Sequence, residues 1–495
     1  MNIEFFLLII SVLFFASILV SKASSRFGVP VLLLFLGVGM VFGVDGLGIQ
    51  FDSIKVAQVI GTVALCIILF SGGMDTKLEE VRPVLAPGIM LATMGVLVTA
   101  FSTGFIIWLI MDKTPIGINI GLSCSLLLAA TISSTDSASV FSILRSKGLH
   151  LKHNLKPTLE LESGSNDPMA YILTITLISI VNQGGNPNYG AAILSLLVQL
   201  VMGSVAGFGL GKGLVWVINR LKIENESLYP ILVFTSCIFI FAATYYMHGN
   251  SYLAVYIGGL VFGNSKFVHK RSTRNFFDGI SWLGQLVMFL TLGLLVNPSE
   301  LRWNEVVLPG IIISLVMIFV SRPLATFISL IPFKKYSFHD KTFLSWCGLR
   351  GAVPIIFAIL CRAEEVPHAD TIFNIVFFCT LVSLVIQGTT LPLMARWLKL
   401  DDHVSEEKKI VDFDIEFPEE IKSATSEILI TKKMLSHGQL LMDLRMPEKT
   451  LAIMVKRGEN YFVPTGKTSL FEGDKLMVIT DDNTALEQTL CELES

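Results

Sequence analysis

The sequence predicts an all-α membrane protein of about thirteen transmembrane helices, followed by a small α+β domain. Of the 495 residues, 52% are hydrophobic and only 16% are charged, and the mean hydropathy is +0.67. Soluble domains contain roughly 25% charged residues. Apolar blocks of about 20 residues, the length of a membrane-spanning helix, recur from the start of the chain to about Leu400. Two of these blocks are interrupted by polar residues. A water-soluble globular protein is therefore excluded.

The apolar blocks predict thirteen spans, and the loops between them predict their orientation. The spans lie near residues 3–21, 28–44, 56–73, 84–111, 117–145, 156–181, 190–218, 229–247, 251–264, 280–296, 304–331, 342–361 and 371–398. Lys and Arg are about five times more frequent in one alternating set of loops than in the other, and positively charged loops stay in the cytoplasm. We therefore expect an external N-terminus and a cytoplasmic C-terminus. The first block is read as a span because its positive charges, Lys22 and Arg26, follow the apolar run, whereas the positive charges of a secretory signal precede it.

The composition changes after Leu400. Residues 1–400 form the predicted membrane domain, 401–425 a charged linker and 426–495 a small cytoplasmic domain. In that domain, short apolar runs predict strands at 428–430, 451–455, 461–463 and 475–479, and a helix is expected at 439–443.

The charge balance and the cysteines exclude several classes of partner. A net charge of -3 gives no reason to expect a nucleic acid polymer as a partner. The seven cysteines are scattered without CxxC spacing, so neither a disulfide framework nor a zinc site is expected. We interpret them as core residues.

Two predicted spans are broken at matched positions. The fifth, near 117–145, is interrupted by the polar run 131–137, which includes Asp136. The twelfth, near 342–361, is broken by Gly348, Leu349, Arg350, Gly351 and Pro354, and Pro354 is expected to remove a helical hydrogen bond. An aspartate at mid-membrane depth costs roughly 2.5 to 3.5 kcal/mol. If spans 1–6 and 8–13 are inverted repeats, both broken spans are fifth members, and such pairs point to a transport site. Asp136 and Arg350 could then offset the partial charges of the half-helix ends. The alternative is that both are merely kinked helices with small residues for packing.

The sixth span carries a polar cluster at its cytoplasmic start. Ser163 and Asp167 are four residues apart and share a helix face, while Asn166 is turned by about 100°. A partly desolvated carboxylate at Asp167 can hold either a proton or a small cation, unless it only caps the helix start before Pro168. A buried Glu162 needs a cationic partner, either Arg350 or Arg322. Arg350 is favoured because it lies in a broken span.

These residues resemble a known family. Glu162, Ser163, Asn166 and Asp167 match the E-S-x-x-N-D signature of the NhaP and NHE branch of cation/proton antiporters, and residues 348–354 (GLRGAVP) match its arginine helix. The resemblance implies an elevator-type antiporter with a dimerisation domain and a core domain, acting as a homodimer in the lipid bilayer.

The resemblance also implies roles for individual residues. Asp167 is expected to carry the proton or the monovalent cation, with Ser163, Thr135 and Asp136 near the ion. Asn166 is expected to tie the sixth span to Asp136, and Glu162 to form a structural ion pair with Arg350 in the core. Members with an N-D pair are generally electroneutral, so one proton is expected to exchange for one cation. The third span has no carboxylate in the stretch 70–73 (FSGG), which favours K⁺ over Na⁺.

The tail from Ser426 to Asp482 resembles an RCK C-terminal (TrkA-C) domain, on the run from Leu441 to Ile479. The pairing is typical of bacterial K⁺/H⁺ antiporters of the NhaP/CvrA type. Such domains usually dimerise and bind a small regulatory ligand, sometimes a cyclic dinucleotide or another nucleotide. Gly37, Gly39 and Gly43 lie inside an apolar span and are read as helix-packing contacts, so no NAD site and no cofactor are expected.

The sequence thus predicts a secondary antiporter rather than an enzyme. It is expected to exchange K⁺ or Na⁺ for H⁺ in the bacterial cytoplasmic membrane, to be regulated by its tail and to serve pH and volume homeostasis. One alternative is a Na⁺/H⁺ antiporter with a structural tail. A potassium channel is disfavoured because no TVGYG-type filter occurs and the span count is too high. A hydrolase built on Ser163 or Ser165 is disfavoured because no histidine lies within a span to serve as its base.

Overall fold

The computed structural model describes most of the chain as two compact units, Met1–Asp401 and Asp402–Ser495. The described residues are 3–27, 30–51, 53–114, 118–149, 151–184, 188–221, 223–401, 425–431, 433–444, 446–447, 450–458 and 460–480, together with Leu486 and Thr489. The predicted linker 401–425 lies outside the described residues except for its two ends, and so does most of the chain after residue 480.

The first unit is helical, and its helices fall where the apolar blocks predict them. They are α1 (Ile3–Phe27), α2 (Val31–Phe42), α3 (Ile54–Asp75), α4 (Leu78–Lys113), α5 (Gly121–Thr131), α6 (Ser137–Ser146), α7 (Leu155–Gln183), α8 (Tyr189–Arg220), α9 (Leu228–Tyr246), α10 (Ser251–Gly263), α11 (Lys270–Leu295), α12 (Trp303–Ser329), α13 (Phe338–Trp346), α14 (Val353–Ala363) and α15 (Ala369–Trp397). Within the described residues, seven of them, α3, α4, α8, α9, α11, α12 and α15, are long and apolar enough to cross a membrane.

The two interruptions predicted from the sequence are present. α5 ends at Thr131 and α6 begins at Ser137, while α13 ends at Trp346 and α14 begins at Val353. Pro354 was expected to remove a helical hydrogen bond, but it lies in the first turn of α14. Backbone N–H groups in a first turn have no helical partner, and proline is well tolerated there. The six cysteines within the described residues are buried and free, in agreement with their reading as core residues.

Close backbone contacts hold α10 between α3 and α8. A Cβ at Gly259 would lie 2.3 Å from the carbonyl oxygen of Phe70 in α3, and one at Gly207 would lie 2.6 Å from the carbonyl oxygen of Ala254. Without side chains at such points, helix backbones can approach each other closely. Gly39 of α2 packs in the same way against Gly293 of α11, and a Cβ at Gly43 would lie 3.6 Å from the Gly293 carbonyl oxygen. The packing interpretation was wrong for Gly37, because a Cβ there would meet nothing within 4 Å.

The start of α7 is fastened to two other elements. His153 Nδ1 lies 3.0 Å from Oδ1 of Asp340, which also closes a capping box at the start of α13. The Lys152 backbone N–H donates to the Leu400 carbonyl over 3.1 Å, and Leu151 forms a β-bridge with Asp401. The end of the first unit is therefore attached to the loop between α6 and α7.

The described part of the second unit contains a four-stranded antiparallel sheet. Its strands are β1 (Thr425–Leu429), β2 (Thr450–Arg457), β3 (Asn460–Phe462) and β4 (Lys475–Thr480), in the order β1-β4-β2-β3. The sheet covers a core that includes Val455, Leu476 and Val478. The four strand predictions are thus confirmed.

The helix predicted at 439–443 was wrong. The structure has a 3₁₀ turn at Leu441–Leu444. Leu440 forms a β-bridge with Ser469, and its N–H donates to the Asp443 carboxylate over 2.9 Å, so its backbone is not available for a helix.

Candidate ion-binding site

The two broken spans meet at their interruptions. The Asp136 N–H donates to the Leu349 carbonyl over 2.8 Å, and the Arg350 N–H donates to the Ser383 hydroxyl over 3.1 Å. Nη1 of Arg350 donates to the carbonyls of Ser133 and Ser134 over 2.6 and 2.5 Å. Backbone groups without helical partners are expensive in a membrane, and here each break supplies partners for the other.

Charged side chains offset the partial charges of the half-helices. Arg350 is fully buried, and its guanidinium binds carbonyls just beyond the C-terminus of α5, where the helix dipole is negative. The Asp136 carboxylate caps the positive N-terminus of α6, accepting from the Ser139 N–H over 3.1 Å. A Cβ at Gly351 would lie 2.5 Å from Oδ2 of Asp136, so a glycine is needed for this approach. The expected charge compensation is therefore present.

Asp167 lies beside this crossing on α7. Its side chain is buried, and Oδ1 accepts a hydrogen bond from the Ser134 hydroxyl. Sequence reasoning missed Ser134 as a partner of Asp167. The polar run 131–137 was the available signal, but it does not distinguish one hydroxyl from the next.

Two further side chains of α7 fasten it to the fifth-span interruption. The Ser163 hydroxyl donates to the Thr135 carbonyl and accepts from the Ser137 N–H, both over 3.0 Å. Asn166 Nδ2 donates to the Thr135 hydroxyl. The expectation that Asn166 contacts Asp136 was wrong, because the Asp136 carboxylate is engaged in capping α6. The structure thus brings Ser163, Asn166 and Asp167 together with Thr135 and Asp136.

The expected ion pair between Glu162 and Arg350 was also wrong. Oε1 of Glu162 accepts a hydrogen bond from Nη2 of Arg322, and their side chains are 2% and 4% exposed. A Cβ at Gly348 would lie 2.7 Å from Nε of Arg322, so the glycine in the broken span provides the space for that side chain. Arg350 hydrogen-bonds to the carbonyls of Ser133 and Ser134 instead.

A cavity of about 880 Å³ reaches this cluster. Its lining includes Asp136, Ser163 and Asp167. Charged residues line one rim of the cavity, among them Lys77, Glu80, Arg145, Lys156 and Arg274. The Lys and Arg residues of this set belong to loops that are predicted to be cytoplasmic. The lining comes from α6 and α7, from α2, α3, α10 and α11, and from the start of α14.

The arrangement suits a weakly held small ion or a proton. A divalent cation such as Ca²⁺ takes about six to eight oxygen ligands, several of them from carboxylates. Within the described residues, no group of three His, Cys, Asp or Glu side chains is arranged to hold a metal ion. Asp167 offers one carboxylate, with hydroxyl and backbone oxygens close by.

Comparisons with known proteins identify similar chains. The model of the family "Sodium/hydrogen exchanger, transmembrane" matches residues 10–397. The K(+)/H(+) antiporter NhaP of Alkalimonas amylolytica is 44% identical over 397 residues, 80% of this chain and 67% of that protein. The K(+)/H(+) antiporter NhaP2 of Shewanella sp. strain ANA-3 is 38% identical over 488 residues, 98% of this chain and 82% of that protein.

The fold also matches a solved structure. The sodium proton antiporter MjNhaP1 from Methanocaldococcus jannaschii, solved at pH 8, superposes with a TM-score of 0.66 at 23% identity. The match covers 79% of this chain and 99% of that chain.

Proposed function

Because this chain belongs to the sodium/hydrogen exchanger family of multi-pass membrane transporters, we propose that it exchanges K⁺ for H⁺ across a bacterial cytoplasmic membrane and accepts Na⁺ less well. Its relatives over 80% and 98% of its length are named K(+)/H(+) antiporters. The family is one of cation/proton antiporters, which are transporters and not enzymes.

The observation that carries the proposal is the position of Asp167. Its buried carboxylate lies at the crossing of two broken helices and lines a cavity with charged residues at its rim. Asp167 carries either the proton or the cation, because a single carboxylate cannot hold both. Ser163 and Thr135 are positioned near the bound ion.

The charge balance of the cluster supports electroneutral exchange. Asn166, next to Asp167, is neutral, and the Asp136 carboxylate is engaged with the N-terminus of α6. One titrating carboxylate is then left to exchange one proton for one monovalent cation. A potential-sensitive dye should therefore report no voltage change during exchange.

The walls of the cavity support an elevator-type movement. α6 and α7 are joined to each other and to the interruption before α14 by the contacts of the broken spans, whereas α10 is held by α3 and α8. Sliding of the first group along the second would expose Asp167 to each side in turn. The charged rim is the cytoplasmic side, with the N-terminus outside and the C-terminus inside.

The second unit has a proposed regulatory role. Its antiparallel sheet is compatible with the resemblance of residues 426–495 to an RCK C-terminal domain. Such a domain would bind a nucleotide, for example a cyclic dinucleotide, and would contribute to a homodimer. Cyclic dinucleotides should then raise the melting temperature of the full-length protein and change its exchange rate.

Proton flux in proteoliposomes at zero membrane potential tests the proposed exchange. We expect a K⁺ gradient to drive proton flux at lower concentration than a Na⁺ or Li⁺ gradient does. A response to Na⁺ alone would replace the proposal by Na⁺/H⁺ exchange with a structural tail. Passive K⁺ flux without proton movement would contradict antiport.

A further inference from the structure

Asn250 connects the two groups of helices that the proposed movement would displace relative to each other. It directly precedes α10 and is fully buried. Its Nδ2 donates to the Pro168 carbonyl of α7 over 2.8 Å. Its Oδ1 accepts from the Leu253 N–H over 3.1 Å and so caps α10. One side chain therefore caps a helix of one group and binds the backbone of the other group, one residue beyond Asp167.

The backbone of Asn250 is attached to α8. Its N–H donates to the Gln199 carbonyl over 3.0 Å, and a Cβ at Gly203 would lie 2.7 Å from its carbonyl oxygen. At Gly207 the backbones of α8 and α10 approach each other equally closely. Sliding of α7 along α10 would therefore break the hydrogen bond between Asn250 and Pro168, because α8 and α10 keep the amide in place.

A second acceptor lies one turn earlier on α7. Pro168 has no N–H, so the Gly164 carbonyl lacks the helical hydrogen bond that any other residue at 168 would supply. Carbonyls four residues apart lie on nearly the same face of a helix and are separated by about 6 Å along its axis. Gly164 also faces α10, because a Cβ at this position would overlap the ring of Tyr256. The proline that binds Asn250 thus leaves the preceding carbonyl on this face without its helical donor.

The orientation of α7 gives the direction of the step. α7 starts on the side that is predicted to be cytoplasmic, and the charged rim of the cavity beside Asp167 lies on the same side. Movement of α7 by one turn toward the outside would bring the Gly164 carbonyl to the position that the Pro168 carbonyl occupies here. The same movement would carry Asp167 away from the cytoplasmic rim. Steps of one helical turn are an established form of conformational transition between packed elements.

We propose that Asn250 is a positioning residue of the exchange cycle, which binds the Pro168 carbonyl when Asp167 faces the cytoplasm and the Gly164 carbonyl when Asp167 faces the outside. This inference rests on the proposed function, because it assigns a partner to each end of the elevator-type movement. A buried polar group without a partner is unfavourable. The outward position gains a donor for the Gly164 carbonyl, and the amide of Asn250 is paired in both positions.

The test compares the two positions through a reporter cysteine. Ala138 of α6 is exposed and lines the cavity near Asp136. Ala138→Cys is labelled with a membrane-impermeant maleimide in inside-out and in right-side-out membrane vesicles. The six cysteines within the described residues are buried, and Cys491 is replaced by serine. The ratio of the cytoplasmic to the external labelling rate then follows the ratio of the two positions.

Pro168→Ala supplies the missing N–H. The Gly164 carbonyl would then have a helical donor in both positions, so the outward position loses its relative gain. We expect the labelling ratio to rise about fivefold, which corresponds to about 1 kcal/mol at 1.4 kcal/mol per tenfold.

Asn250→Ser removes the donor and keeps a good cap for α10, since serine and asparagine are similarly favourable at this position. It should raise the labelling ratio to a similar extent, and adding Pro168→Ala should then have no further effect. Asn188→Ser is the matched control, because Asn188 caps α8 by accepting from the Ala191 N–H over 3.0 Å. In the Asn188→Ser background, Pro168→Ala should keep its fivefold effect. Asn250→Gly, which also caps a helix and has no donor, replaces Asn250→Ser if that variant does not reach the membrane.

The outcomes separate this inference from a structural role and from the proposed function. If Pro168→Ala changes the labelling ratio by the same factor with and without Asn250, the proline acts only on the shape of α7 and the inference is wrong. An unchanged ratio in Pro168→Ala would also overturn it, as would labelling of the wild type from one side alone. Labelling needs no ion gradient. If the wild type exchanges no ions, the proposed function fails, and the labelling ratios still decide the role of Asn250.

Discussion

The pairing of Glu162 with Arg322 can be measured by a double-mutant cycle. Arg322→Met would leave the Glu162 carboxylate, 2% exposed, without its cation. Breaking a buried ion pair in this way typically destabilises a protein by about 3–5 kcal/mol. Nε of Arg322 and Oε2 of Glu162 have no hydrogen-bond partner within the described residues, so little compensation for the lost Nη2–Oε1 bond is available. We expect an increase of the unfolding equilibrium constant of more than about a hundredfold.

The double variant Glu162→Gln, Arg322→Met removes both charges and should recover about 2–3 kcal/mol of the summed loss, as contacting residues do in such cycles. The matched cycle uses Glu162→Gln with Arg350→Met. Arg350 binds the carbonyls of Ser133 and Ser134, so its loss should be costly but should add to that of Glu162→Gln within about 1 kcal/mol.

The assay is reversible unfolding in mixed micelles, in which the fraction of sodium dodecyl sulfate is raised and helix content is followed by circular dichroism. An equal or larger coupling energy for Glu162 with Arg350 than with Arg322 would refute the assignment. Wild-type stability of Arg322→Met would also refute it.

Three further predictions concern ion binding and the second unit. Asp167→Asn should abolish cation-driven proton flux while leaving the melting temperature within a few degrees of the wild type, and retained flux would exclude Asp167 as the carrier. Ser134→Ala removes the hydroxyl that donates to Asp167 and should raise the KM for the cation several-fold. Ser125→Ala is the control, because the Ser125 hydroxyl donates to the Gly121 carbonyl within α5, and it should leave the KM unchanged. Equal effects of the two substitutions would contradict a role of Ser134 at the ion-binding site. In the second unit, Arg457 binds the buried Asp474 carboxylate through Nε at 2.9 Å and Nη2 at 2.7 Å, and this contact raises the pKa of Arg457. Arg457→Ala should therefore make the second unit more sensitive to proteolysis, by about 1–3 kcal/mol of local stability, and an unchanged digestion rate of the full-length protein would contradict this.

The backbone of the site could be predicted from the sequence because its signals are local. The polar run 131–137 inside an apolar block indicates a broken helix wherever the block is placed, and the same holds for Gly348 and Gly351. The spacing of Ser163 and Asp167 fixes their common face once α7 is a helix. These predictions need no knowledge of which helices are neighbours.

The partners across helices could not be predicted in the same way. Arg322 and Glu162 are 160 residues apart, and their contact depends on the space that Gly348, in the interruption between α13 and α14, leaves for the Arg322 side chain. Sequence position favoured Arg350 because it lies in a broken span, but the free carbonyls of the other break were stronger competitors for its guanidinium. Likewise, the sequence does not indicate that Ser134, rather than a neighbouring residue with a hydroxyl, donates to Asp167. The interruption is not helical, so helical periodicity does not predict where its side chains point.

The joint between Lys152 and Leu400 has a mechanical consequence. The last residues of the first unit are attached to the loop that leads into α7, through one backbone hydrogen bond and one β-bridge. A force applied at Asp401 would therefore act first on this loop and next on α7, and only fifteen residues separate Lys152 from Asp167. If α7 moves in the proposed elevator-type exchange, this joint links the end of the first unit to that movement.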